Sequence, residues 1–268
     1  MQAIFLGCSD GQGVPRIGCA CEVCHHALAP DSRNRRTGPS MALRYGPSYA
    51  ERLVLIDVAP EIRLQVTRLG LRQFDALLLT HCHDEHVLGL STLVNAQREA
   101  GQSLAVYAPA QVLDDVRERF GYLWTDKSYR RVMQPKAIDD MVDLWGLQVR
   151  PLRVDHGMGG IAYGYLLTLG RQRLAYVSDM LRATAELRQL LSGLNLLVVG
   201  ASHYYEGIEM WKRSVMDITA GLELIHDVAP DRAIITHLSH TVEYDQVSAR
   251  LSPTIGLAYD GLVLEVQE

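Results

Sequence analysis

The sequence predicts an α/β fold in which two β-sheets are covered by helices, an αβ/βα layering. Two observations carry this: short apolar runs with strand character recur along the chain, and helical patterning fills several gaps between them. The strand-like runs are residues 3–6, 53–57, 76–79, 104–107, 147–152, 162–169, 174–178, 196–199, 233–236 and 262–266. A helix is expected over 60–69, where Pro60 suits a first helical position. Apolar residues spaced by three and four predict further helices over 112–120, 183–191 and 216–226. Residues 8–40 show little periodicity but contain Gly, Pro, Cys and Arg, and a segment this long is usually functional or pinned by something else. No repeat, low-complexity tract or long Pro/Gly/Ser linker divides the chain, so one domain over 1–268 is expected.

Composition narrows the function. The chain has 268 residues, 48% hydrophobic and 21% charged, enough for a sizeable core. Its net charge of −5 argues against a grip on long nucleic acid through phosphates. Arg33, Arg35 and Arg36 form the only short basic cluster. No run approaches the ~18 apolar residues of a membrane span. Residues 1–7 are apolar but lack the basic start of a signal peptide, so a cytoplasmic location without membrane contact is expected. Reduced thiols there favour metal binding over disulfides.

The most specific signal is Thr80-His81-Cys82-His83-Asp84-Glu85-His86, directly after the run 76–79. Three histidines so close would repel if protonated and would cost desolvation if buried, whereas neutral imidazoles around a divalent cation solve both problems. Asp155-His156, Ser178-Asp179, Ser202-His203 and Thr236-His237 each follow another strand-like run. Side chains on the ends of several strands converge on one rim of a sheet.

The five cysteines are clustered rather than scattered: Cys19, Cys21 and Cys24 fall within six residues, with Cys8 and Cys82 apart. An odd count with this spacing reads as metal-binding. Three thiolates are one ligand short of a closed tetrahedral zinc site. His25 or His26 is the local candidate for the fourth, and a remote ligand would tie the segment to the fold.

The run strand-H-x-H-x-(D)-H followed by a distant His, Asp and His resembles the metallo-β-lactamase superfamily over essentially the whole chain. The resemblance implies a four-layer αβ/βα sandwich with a dinuclear site for two divalent ions, Zn or Mn. By motif, His81, His83 and His156 would hold one ion. His86, His237 and a carboxylate of the 84–85 pair would hold the second, and Asp179 would bridge both. Relatives usually carry Asp immediately before the last His of the motif; here that residue is Glu85. Glu85 is the favoured ligand, with Asp84 through a local bulge, or a weak or unused second position, as alternatives. The Cys knuckle together with His237-Leu238-Ser239-His240 resembles the PhnP-type phosphodiesterase branch, which implies His240 as fourth ligand of a structural zinc.

This resemblance implies a hydrolase of small phosphodiesters, cyclic ones included, through a hydroxide held between two metals, with Asp179 positioning the pair. Phosphodiesterase relatives often carry a His at the start of the helix corresponding to 214–226, where this chain has Val215. His203 is the nearest replacement as proton donor, or else a partner orienting a ligand. Lys212 and Arg213 are candidates for a substrate phosphate, and Tyr204, Tyr205 and Trp211 for the pocket wall. Gly7, Gly11 and Gly13 suggest backbone approaching a ligand. The competing readings are a tRNase Z-like nuclease, an ester, lactone or thioester hydrolase, and a carrier or binding protein similar to PqqB, which has a similar Cys knuckle and a likeness to residues 58–63. A homodimer is expected on symmetry alone.

Overall fold

The computed structural model describes residues 1–267. The strands in chain order are β1 (Gln2–Gly7), β2 (Ser40–Tyr45), β3 (Arg52–Ile56), β4 (Ala76–Leu78), β5 (Leu104–Ala108) and β6 (Met133–Ala137). They are followed by β7 (Val142–Leu144), β8 (Leu147–Asp155), β9 (Ile161–Leu169), β10 (Gln172–Val177), β11 (Leu196–Gly200), β12 (Arg232–Thr236), β13 (Ile255–Leu257) and β14 (Val263–Glu265). One sheet has the order β14-β1-β2-β3-β4-β5-β6 and the other β13-β12-β11-β10-β9-β8-β7.

The central strands are apolar on both faces, which is why they read as unbroken runs. Val54 and Ile56 of β3 point into the core between the sheets, as do Leu174 and Tyr176 of β10, Leu196 and Val198 of β11 and Ile234 of β12. The alternate residues turn outward under helices. Leu53 and Leu55 meet the helix Leu90–Glu99 through Leu93 and Val94, while Ala175, Val177, Leu197 and Val199 meet the helix Ile218–Val228 through Leu224 and Ile225. Helix, sheet, sheet and helix therefore stack as a four-layer αβ/βα sandwich.

Several elements depart from expectation. The helix expected from residue 214 or 216 starts at Ile218, because Asp217 caps it by accepting from Ala220 N–H while Val215 and Met216 are buried in the preceding loop. Strands β2, β6, β7 and β13 and the helix Leu90–Glu99 were not expected; β6 is a largely exposed edge strand containing Pro135. Residues 8–40 contain the short helix Glu22–His26, and isolated bridges Ser9–Leu238 and Val14–Arg36 stitch the segment to the fold. Finally, β8 runs on to Asp155, which puts His156 immediately beyond its end.

Candidate metal centre and active-site cleft

Strands β3 and β4 run parallel to one another, and so do β10, β11 and β12. Strand β8 is antiparallel to β9, which is antiparallel to β10, so β8 ends on the same rim as β10. The residues just past these strand ends are Asp57, Thr80-His81, His156, Ser178-Asp179, Ser202-His203 and Thr236-His237. Their donor atoms close into three overlapping groups: His81, His83 and His156; His81, His86 and Asp179; and Glu85, His86 and His237.

Asp179 is the hinge of this constellation. Its Oδ2 lies 3.2 Å from His86 Nε2 and its Oδ1 3.2 Å from His237 Nε2. None of these contacts has hydrogen-bond geometry, so His81 Nε2, His86 Nε2, His237 Nε2 and Asp179 Oδ2 are buried without a partner. Orphaned polar atoms of this kind cost free energy and are rare in native proteins. Four of them aimed at one another fit divalent cations lying among them. Where the second ring nitrogens have partners, those partners explain the aim. Thr80 donates its hydroxyl proton to Asp57 Oδ2 at 2.8 Å, so its oxygen is free to accept from His81 Nδ1 at 2.9 Å. His86 Nδ1 lies 2.7 Å from the same Asp57 oxygen. His156 Nδ1 donates to the Ser214 carbonyl at 2.8 Å, and His237 Nδ1 lies 3.1 Å from Ser202 Oγ. Each partner leaves Nε2 facing inward, the usual way a ligand imidazole is oriented from behind.

Electrostatics supports the same reading. Burial holds His81 well below the usual imidazole range, reinforced by the neighbouring His86, and burial also lowers His156. Burial alone would push His86 down too, but Asp179 and Asp57 more than reverse it. Burial would raise Asp179, yet His237 and His86 hold it well below the carboxylate range. Asp57 and His237 have φ of +59° and +60°, a left-handed conformation that non-glycine residues adopt at a cost and that clusters at functional sites.

The short helix Asp84–Val87 turns the two adjacent carboxylates in different directions. Asp84 faces solvent and pairs with Arg119, whereas Glu85 turns into the group with His86 and His237. Gly11 makes room for it: a β-carbon there would stand 2.7 Å from Glu85 Oε1. The glycines of 7–13 thus include one whose close approach is to a candidate ligand's own carboxylate.

A second cluster lies beside the first. His240 Nδ1 is 3.2 Å from Cys19 Sγ, 3.5 Å from Cys21 Sγ and 3.7 Å from Cys24 Sγ. Tetrahedral zinc with ordinary bond lengths sets sulfur and nitrogen about 3.6 Å apart, so this cage fits that ion. Burial pushes the Cys24 thiol up to about 11, while the Cys24 backbone N–H draws Cys21 down. Three adjacent thiolates need a cation to coexist at neutral pH. His25 and His26, the local alternatives, are exposed and lie outside the cluster. Cys8 is buried elsewhere, and Cys82 packs partly against the outer core.

The histidine-rich centre opens into a cleft of about 720 Å³ whose lining includes His203, Arg16, Lys212, Arg213 and Val215. His203 Nδ1 is 2.8 Å from Thr241 Oγ1, and its Nε2 lies 3.9 Å from Glu206 Oε1. Arg213 does not stand free for a phosphate as expected: it donates to the carbonyls of Ile208 and Glu206 and to Asp217 Oδ2. Lys212 pairs with Glu209 at 2.6 Å. Tyr204, Tyr205 and Trp211 are not among the lining residues; Tyr204 packs partly against the outer core and the other two are exposed. The basic cluster of 33–36 is engaged by the fold, although Arg33 and Arg35 remain exposed. Arg33 stacks on Tyr244 and Tyr259, Arg35 holds the carbonyls of Ala27 and Leu28, and Arg36 is buried against those of Ser239 and Val242.

Asp57 is the functional residue that sequence reasoning missed. It stands at the end of an apolar run as the other site residues do, and that placement was the available signal.

A family description, Beta-lactamase superfamily domain, matches residues 52–238. The chain belongs to the metallo-β-lactamase superfamily, and hydrolases are among the proteins that share its fold. Among curated proteins it is 32% identical to an octanoyltransferase of Porphyromonas gingivalis, a match covering 100% of this chain and 52% of that protein, so the chain spans about half its length. It is 30% identical to coenzyme PQQ synthesis protein B of a Methylobacterium species, over 98% of this chain and 99% of that one. The crystal structure of a new diphosphatase from the PhnP family superposes with a TM-score of 0.84 at 27% identity, covering 98% of this chain and 97% of the other. No helix among the described residues is long and apolar enough to cross a membrane.

Proposed function

We propose that this protein is a phosphodiesterase acting on small, including cyclic, phosphodiesters. The observation that carries the reading is the convergence of four orphaned buried atoms of His81, His86, His237 and Asp179 at the floor of an open cleft. His81, His83 and His156 would hold one divalent ion, Glu85, His86 and His237 a second, and Asp179 would be shared. When bound, such ions supply Lewis acidity and acidify a water. The likeness to the PhnP-family diphosphatase favours phosphorus over carbonyl chemistry.

The chain's own groups supply orientation and a proton. Asp57, Thr80, Ser202 and the Ser214 carbonyl fix the imidazole rings. A departing alkoxide needs a proton, and Val215 in the cleft wall has none to give. His203 takes that role: hydroxyls of Thr241 and Ser239 hold its Nδ1, leaving Nε2–H as the donor beside Glu206. With Arg33, Arg35 and Arg36 outside the cleft lining, a small-molecule substrate suits the cleft better than long nucleic acid. The cysteines are unpaired, which suits a reducing cytoplasmic setting.

The test is hydrolysis of bis-p-nitrophenyl phosphate beside a lactone and a thioester, each with added Zn²⁺ or Mn²⁺. Diester turnover that His203→Ala lowers about 10²-fold or more is expected. Lactone or thioester turnover alone would replace the substrate class. Metal loading with no turnover would favour a binding role like that open to the full-length relative, coenzyme PQQ synthesis protein B.

A further inference from the structure

Arg16 has no role in the constellation above, yet it lines the cleft with His83, Glu85 and Asp179. It differs from the other two cleft cations. Arg213 has spent its donors on the loop that carries it, and Lys212 is tied to Glu209 at the exposed rim. Arg16 pairs with Asp10 through one terminal nitrogen only, which leaves its second terminal nitrogen without a hydrogen-bond partner. A guanidinium with an unsatisfied edge in a cleft is built to take an anionic oxygen, because its planar fork matches phosphoryl geometry.

The backbone of Arg16 is fastened at both polar groups to the cysteine cluster. Its N–H donates to Cys24 Sγ at 3.4 Å, and its carbonyl accepts from Cys19 N–H at 3.2 Å. The same cluster includes His240, three residues after His237. The cluster therefore fixes Arg16 in relation to the histidine centre.

Resting on the phosphodiesterase reading, we propose that Arg16 binds a phosphoryl oxygen of the substrate, and that the Cys19–Cys21–Cys24–His240 cluster is the mount that places it. The cluster is then part of substrate recognition and not solely a staple for residues 8–40.

The experiment is calorimetric titration of the metal-loaded protein with inorganic phosphate, paired with bis-p-nitrophenyl phosphate kinetics, metal content and melting temperature. For Arg16→Ala, phosphate affinity falls on the order of tenfold or more, as loss of a charge-assisted bond predicts. KM rises more than kcat falls, while metal content and melting temperature stay at wild-type values. Arg16→Lys recovers part of the affinity. Cys24→Ser, or His240→Asn should the first not fold, weakens phosphate binding as Arg16→Ala does, and the double variant is no weaker than either single one. Wild-type phosphate affinity in Arg16→Ala would overturn the inference, and additive losses in the double variant would overturn the mount. Arg16-dependent phosphate binding without diester turnover would instead sink the phosphodiesterase reading and leave the anion site standing.

Discussion

The Asp57 carboxylate lies 2.7 Å from His86 Nδ1, with both side chains fully buried. The same carboxylate accepts from the backbone and hydroxyl of Thr80, whose oxygen in turn faces His81 Nδ1. One acid thereby sets the ring orientation of two candidate ligands that cluster with Asp179. Asp57→Asn keeps the shape but offers His86 and Thr80 a mixed donor and acceptor. We expect about 10–100-fold weaker metal binding, read by competition with a chromophoric chelator. Unchanged affinity would remove Asp57 from the site.

Glu85 and Asp84 are adjacent but face different surroundings. Glu85→Gln is expected to lower the metal content by about one ion per chain, with the Cys-bound ion retained. Asp84→Ala should leave metal content unchanged, because its partner is Arg119 at the surface. Gly11→Ala, which crowds the Glu85 carboxylate, should resemble Glu85→Gln. Elemental analysis of the three variants decides; a loss confined to Asp84→Ala would reverse the assignment.

Cys21→Ala should act on the fold before the chemistry. Losing the cage frees a segment otherwise pinned by Arg36 and two bridges. We expect a cost of roughly 3 kcal/mol or more, or about 6–12 °C in melting temperature for a chain of this size. Zinc lost at an undiminished melting temperature would refute the structural role.

Asp217 gives a pH prediction away from the metal groups. Burial opposes its charge, but Thr219, the backbone N–H groups of Ala220 and Glu206, and Arg213 together hold its carboxyl below the usual value of 3.8. A lowered folded-state value means that this stabilisation is fully present above pH 3.8 and is lost as the pH falls through the folded-state value. Asp217→Ala should cost about 1–2 kcal/mol near neutrality, the cap plus a partly buried ion pair. The deficit should shrink in acid denaturation below pH 3.8; a deficit constant down to pH 2 would contradict the linkage.

The fold was legible where both faces of a strand are buried and no polar residue breaks the run; β2 is buried too, but Ser40 and Arg44 interrupt it. Strands β10, β11 and β12 alternate between two cores, so their middle residues are apolar and the run stands out. Strand β6 at an exposed edge and three-residue β13 with Gly256 carry no such signal. The metal-type residues were legible because chemistry concentrates polar groups directly after strands. What sequence could not show is pairing at a distance. Asp57 meets His86 across 29 residues, and Arg16 meets the cleft only because the cysteine cage folds against the loop carrying His240. Arg213 illustrates the reverse: a cation that looks available in sequence is consumed by carbonyls that only the folded loop supplies.

The central claim is that the histidine-rich rim holds a working pair of metal ions beside a separate Cys-bound ion. The direct measurement is metal content per chain for wild type and His83→Ala, with bis-p-nitrophenyl phosphate turnover on the same samples. The account predicts about three ions per wild-type chain with turnover, and loss of turnover in His83→Ala with the Cys-bound ion retained. About one ion per wild-type chain, or full turnover in His83→Ala, would contradict it.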